Sequence, residues 1–118
     1  MEINQPQQFI DFDNIAYFLD FHIQIKNHEM MTKGFVPSNI RKNLRIYVHS
    51  NDHGPAHFHI ESTQRKFEQK FTINGIENIS KDKDRRFDDY VKNFFEDNSI
   101  YLEKISGEFY RLNPKFGI

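Results

Sequence analysis

The sequence predicts an α+β fold: a small antiparallel sheet of about three strands, two C-terminal helices packed on one face, and an N-terminal helical and extended addition. Three observations carry this. Apolar and polar residues alternate between positions 43 and 79, the period of half-buried strands. Apolar residues recur at three- and four-residue spacing between 81 and 112, the period of amphipathic helices. The 118 residues hold no internal repeat or linker and suit one domain, 1–118, around one hydrophobic core.

Residues 1–36 form the N-terminal addition. Ile15, Phe18, Leu19 and His22 follow helical spacing, with Asp13 or Asn14 able to cap. Phe21, Ile23 and Ile25 then alternate as in a strand, so a short helix is expected to pass into an extended segment. Gly34 and Pro37 mark a loop before the next element.

The strands follow. Leu44, Ile46 and Val48 alternate with Arg45, Tyr47 and His49; Phe58 and Ile60 alternate with His57, His59 and Glu61. Phe67, Phe71 and Ile73 alternate with Glu68, Lys70 and Thr72, and Asn74-Gly75 is a turn signal after this third strand. Asn51, Asp52, Gly54 and Pro55 supply the loop between the first two strands.

From residue 81 the pattern is helical. Phe87, Tyr90, Val91, Phe94 and Phe95 make a wide apolar stripe, and Asp82 and Asp84 suit the positive end of that helix. Asp97-Asn98-Ser99 breaks it and starts a second helix, carried by Leu102, Ile105, Phe109 and Leu112, which Gly107 weakens somewhat.

Composition narrows the function classes. The absence of cysteine excludes disulfides, thiolate metal sites and a thiol nucleophile. A net charge of −1 argues against a generic nucleic-acid binder. The basic run Lys26, Lys33, Arg41, Lys42 and Arg45 could attract a phosphate, but reads first as a solvated surface balancing the acidic Glu2, Asp11, Asp13 and Asp20. No segment is long and apolar enough for a membrane span, and the N-terminus lacks the pattern of a signal peptide; a cytoplasmic location is expected.

Chemistry concentrates in one place. Four of six histidines lie within the eleven residues His49 to His59. Strand parity puts His57, His59 and Glu61 on one face, with Arg45, Tyr47 and His49 on the matching face of the preceding strand. A hairpin pairing His49 with His57 would set Tyr47 opposite His59 and Arg45 opposite Glu61, leaving Asp52 and His53 in the loop above. Such a face suits three chemistries. His49, His57, His59 and Glu61 offer ligands for a divalent transition metal such as zinc. Alternatively His57 and His59 form a metal-free acid–base pair with His53 and Asp52 as loop partners. Arg45 or Lys42 would then stabilise developing charge, and Tyr47 would orient substrate in phosphodiester cleavage. The third chemistry is binding alone, by ring stacking on bases or on a partner. Against all three stands a plain polar sheet face with a cross-strand Arg45–Glu61 pair and Asp52 organising the turn. His22 and His28 read as ordinary surface or core histidines.

The stretch Ile46-Tyr47-Val48-His49 through Asp52-His53-Gly54-Pro55-Ala56-His57-Phe58-His59-Ile60 resembles a family of small uncharacterised prokaryotic proteins. This is domain-of-unknown-function family 4160, marked by an Asp-His-x-Pro-Pro-His-Phe-His signature. The resemblance covers about residues 43–112, and Ala56 stands where the family usually has a second proline. It implies a toxin–antitoxin-like or mobile-element module, commonly beside a small partner protein, and a component of a toxin–antitoxin or defence-like module is the expectation drawn from it. It assigns no roles to Asp52, His53, His57 and His59. The leading expectation is such a protein acting on nucleic acid or nucleotide phosphodiesters. The alternatives are an antitoxin-like interaction module and a metal-binding protein.

Overall fold

A computed structural model describes residues 7–34, 43–50, 52–62 and 67–116. Its strands are β1 (Phe9–Asp11), β2 (Leu44–His49), β3 (His57–Ser62) and β4 (Phe67–Thr72), all antiparallel in the order β1-β2-β3-β4. The helices are α1 (Asp13–Thr32), α2 (Arg85–Asp97) and α3 (Ser99–Leu112), followed by a 3₁₀ turn at Pro114–Phe116. The class is α+β as expected, with four strands rather than about three.

The N-terminal segment departs from expectation in order. The extended piece precedes the helix, as β1, and α1 runs unbroken through Phe21, Ile23 and Ile25. Their alternation arises because α1 buries one face only, through Ile15, Ala16, Leu19 and Ile23, while Phe21 and Ile25 remain exposed apolar residues on the other. β1 pairs Phe9 with His49, Ile10 with Val48 and Asp11 with Tyr47. Pro37 and Lys42 lie outside the described residues.

The remaining elements follow the apolar pattern. Ile46, Val48, Phe58, Ile60 and Phe71 turn to one side of the sheet and join α1, α2 and α3 residues in one buried cluster. Aromatic packing dominates it: Phe58 meets Phe95 edge-on at 5.3 Å and Phe67 meets Phe87 edge-on at 5.1 Å. Asp84 caps α2, accepting from Arg86 N and Phe87 N, so the helix begins four residues after Lys81. Asn98 sits at the α2–α3 break and donates to Phe94 O. Gly75 takes φ 93°, the left-handed backbone that the Asn74-Gly75 turn requires. The chain then returns along β4, where Ile79 N donates to Lys70 O and covers part of that edge.

The β2–β3 register is the expected one as far as it is paired: Arg45 faces Glu61 and Tyr47 faces His59. The ladder ends there, before His49 and His57. Beyond it His49 still pairs with Phe9 of β1 and His57 with Thr72 of β4, and the loop between them carries Asp52 over the face opposite the helices.

Candidate metal centre

That face collects side chains from all four strands. Register places Phe9 and Asp11 of β1 beside Tyr47 and His49 of β2, and Glu68 and Lys70 of β4 beside Glu61 and His59 of β3. Near its centre it is closed to water: His57, His59 and Asp52 are 4%, 3% and 4% exposed. Rings do part of the covering. Tyr47 stacks on His59 with centroids 4.7 Å apart and planes 5° apart, and Phe9 meets His49 edge-on at 5.4 Å.

Asp52 is held by a residue far along the chain. Asn113, which ends α3, accepts from Asp52 N at 3.1 Å and donates to His49 O at 2.9 Å and to Phe109 O. Phe116 packs on the same loop, where a Cβ on Gly54 would lie 3.2 Å from its Cε1. The loop position is thus set by the end of α3.

The hydrogen bonds of each imidazole fix which nitrogen carries the proton. His57 Nδ1 lies 2.7 Å from Pro55 O, and a carbonyl only accepts, so Nδ1–H donates. His59 Nδ1–H donates to Glu68 Oε1 at 3.0 Å. Gln7 Nε2 donates both to Ser50 O at 3.1 Å and to His49 Nδ1 at 2.8 Å, which leaves Nδ1 of His49 as the acceptor. The shared amide also accounts for the 3.2 Å approach of that Nδ1 to Ser50 O. Burial holds the His59 imidazole below the ordinary histidine value; the Glu68 hydrogen bond opposes this, and His49 and His57 reinforce it. His59 Nε2 therefore presents a lone pair.

The free His59 Nε2 and one nitrogen each of His57 and His49 surround one oxygen. Asp52 Oδ2 lies 3.0 Å from His57 Nε2, 3.5 Å from His59 Nε2 and 3.6 Å from His49 Nδ1. Neither Oδ2 nor His59 Nε2 has a hydrogen-bond partner, although both are buried. Asp52 Oδ1 instead accepts from His53 N at 3.1 Å. A carboxylate oxygen among imidazole nitrogens is stabilised either by a proton on one of the rings or by a metal cation between them. A tetrahedral site with bonds of about 2.0–2.1 Å has ligand–ligand edges of about 3.3–3.4 Å. The ligand atoms of His49, Asp52 and His59 all lie within 4.8 Å of one another, so this group could hold a metal ion. His57 stands beside the trio, and Glu68 orients His59 in the way that carboxylates orient metal-bound imidazoles.

Other residues named from the sequence lie elsewhere. Glu61 does not join the imidazoles; its carboxylate accepts from Tyr47 OH at 3.3 Å. Burial, then Glu68 and Glu61, push the Tyr47 phenol above its ordinary value, so its proton stays with that contact. Arg45 faces Glu61 in register, but its guanidinium pairs with Asp11 and lies 4.2 Å from the Tyr47 ring centroid. The cross-strand Arg45–Glu61 pair expected from the sequence is replaced because β1 brings Asp11 alongside. His53 is exposed at the rim, His28 is exposed on α1, and His22 is half-buried with Nε2 unpartnered beside Phe94. Sequence reasoning did not find Glu68, Asn113 and Gln7 as contributors. Glu68 carried a signal, since strand parity puts it on the histidine face; the other two carried none.

Among the described residues no helix is long and apolar enough to cross a membrane. No family model, no curated protein and no solved structure matches this chain.

Proposed function

We propose that the protein binds a divalent transition metal such as zinc through Asp52 Oδ2, His59 Nε2 and His49 Nδ1, the last exchanging its hydrogen bond from the Gln7 amide for the ion, with His57 Nε2 as the nearest further donor. The observation that carries this is the buried Asp52 Oδ2 that meets three imidazole nitrogens without a hydrogen bond. Nitrogen and oxygen donors of this kind suit zinc and its neighbours, and three protein ligands with a fourth position toward a cleft is the pattern of reactive rather than structural zinc. Metal-free acid–base chemistry by His57 and His59 is the weaker reading, because their free nitrogens turn onto a carboxylate rather than outward. The setting suggested by the family resemblance is a toxin–antitoxin or defence-like module with a small partner protein. That remains a second proposal, supported by the Asp52-to-His59 motif alone.

Metal content of tag-free protein tests the first reading. The expected result is about one divalent ion per chain, lost in the His49→Ala, His59→Ala double variant. Less than about 0.1 equivalent, with no uptake on reconstitution of folded protein, overturns it.

A further inference from the structure

Above the ligand trio lies a cleft of about 330 Å³, at the small end of the roughly 300–1,000 Å³ typical of ligand pockets. His53 and Gly54 form part of its rim, and Lys70 and Ile79 line it from the β4 side. Lys70 faces His59 in the β3–β4 register, which puts its side chain on the histidine face. Among the described residues no carboxylate pairs with Lys70. Glu68, two positions away on the same strand, is engaged by His59 Nδ1 at 3.0 Å.

The charge count is one-sided. Asp52 is the one carboxylate among the cleft-lining residues, and the metal reading already uses it. A divalent ion, the Asp52 carboxylate, neutral imidazoles and the Lys70 ammonium leave a surplus of positive charge that the Glu68 carboxylate behind His59 reduces but does not cancel. A cleft of one sign concentrates ligands of the other. Asp52 Oδ2 and His59 Nε2, both buried and unpartnered, mark the floor where such a ligand would meet the metal.

We propose that this cleft binds a small phosphate-type anion, either inorganic phosphate or the phosphate of a monoester, with one oxygen at the open metal position and another at the Lys70 ammonium. A tetrahedral oxyanion with several terminal oxygens can bridge two separate positive centres, whereas a carboxylate has two oxygens set close together. Lysine serves phosphate as a point charge and needs no planar match. The rest of the cleft accommodates the group attached to a monoester. This inference rests on the metal reading above.

Cobalt-loaded protein tests it, because the visible spectrum of the bound ion reports a change in its ligands. Titration with inorganic phosphate should give a saturable spectral change. Lys70→Met should weaken that response at least about tenfold while retaining cobalt, as expected for loss of a charged phosphate contact. Lys81→Met, outside the cleft, should leave it unchanged, and acetate should bind more weakly. Phenyl phosphate separates the two sources: tighter binding than phosphate indicates a monoester, and equal or weaker binding indicates the free ion. Cobalt uptake with no phosphate response overturns this proposal alone. So does acetate binding as tightly as phosphate, or Lys70→Met binding phosphate like the parent. Failure of the folded protein to take up cobalt overturns the metal reading and this one together.

Discussion

Replacing Asp52 by asparagine distinguishes a metal centre from a structural ion pair. In the metal-free protein Asp52 Oδ2 is buried, lacks a hydrogen bond and faces imidazole nitrogens at 3.0–3.6 Å. A buried polar atom without a partner costs about 1–3 kcal/mol, and more when charged. In Asp52→Asn the amide oxygen keeps the bond from His53 N, and the amide nitrogen takes the Oδ2 place, 3.0 Å from His57 Nε2. His57 Nδ1 already donates to Pro55 O, so Nε2 can accept. One repulsive contact becomes a hydrogen bond. The metal-free variant is expected to be more stable than the metal-free parent by about 1–2 kcal/mol, or roughly 4–8 °C in Tm. The metal response runs the other way. The parent gains about 2.7 kcal/mol at free metal one hundred times Kd, whereas the variant has lost the anionic ligand and gains little. The order of stabilities therefore inverts between EDTA and added zinc, which guanidinium denaturation of both proteins in both buffers reads directly. A loss of about 3–5 kcal/mol for Asp52→Asn in EDTA is the cost of breaking a buried ion pair. Combined with no zinc-dependent gain in the parent, it would refute the reasoning.

Three further perturbations follow from the same contacts. Glu68→Gln, which replaces the carboxylate that accepts from His59 Nδ1, should lower metal affinity about 10–100-fold in a chelator competition while changing metal-free stability little. Asn113→Ala removes the acceptor for Asp52 N and the donor to His49 O at a position 2% exposed, so urea denaturation should show a loss of about 2–4 kcal/mol; a loss under about 0.5 kcal/mol would show that the loop is anchored otherwise. Burial, and next Lys26, lower the His22 value in the folded state, so the unfolded chain takes up the proton first and stability declines as pH falls below about 6.5. His22→Leu should shrink the difference between denaturation midpoints at pH 7.5 and 5.5, and an unchanged difference would place that dependence elsewhere.

Much of the fold was legible where burial is one-sided and elements are long. β2 and β3 each turn one set of alternate residues to the core, so a one-residue slip would expose Ile46, Val48, Phe58 and Ile60 together, and the register follows from that cost. α2 presents five buried apolar residues on one face. The errors lie where these conditions fail. β1 has three residues, too few for a period to show. On α1 the outward Phe21 and Ile25 are apolar and exposed, so hydrophobicity no longer reports burial, and a false alternation appears.

The site divides along a different line. Parity alone assembles His49, His57 and His59 with Tyr47 and Glu68, because side-chain direction on a strand is fixed by backbone geometry. Whether that face is a wet polar surface or a ligand set depends on which nitrogen of each ring is free, and parity is silent on that. The partner of one nitrogen sets the role of the other: Pro55 O for His57 and Glu68 for His59; for His49, Nδ1 accepts from the Gln7 amide and is available to an ion only when that bond is released. Two of these partners come from outside the hairpin. The convergence point is set by Asp52, whose loop is held by Asn113, 61 residues further on. In sequence Asp52 is a turn former like many others. It becomes a candidate ligand because a distant amide fixes its backbone where Oδ2 meets three imidazoles. The histidine spacing marks where the chemistry lies, and the long-range hydrogen bonds that orient the rings and Asp52 gather there a group that could hold a metal ion.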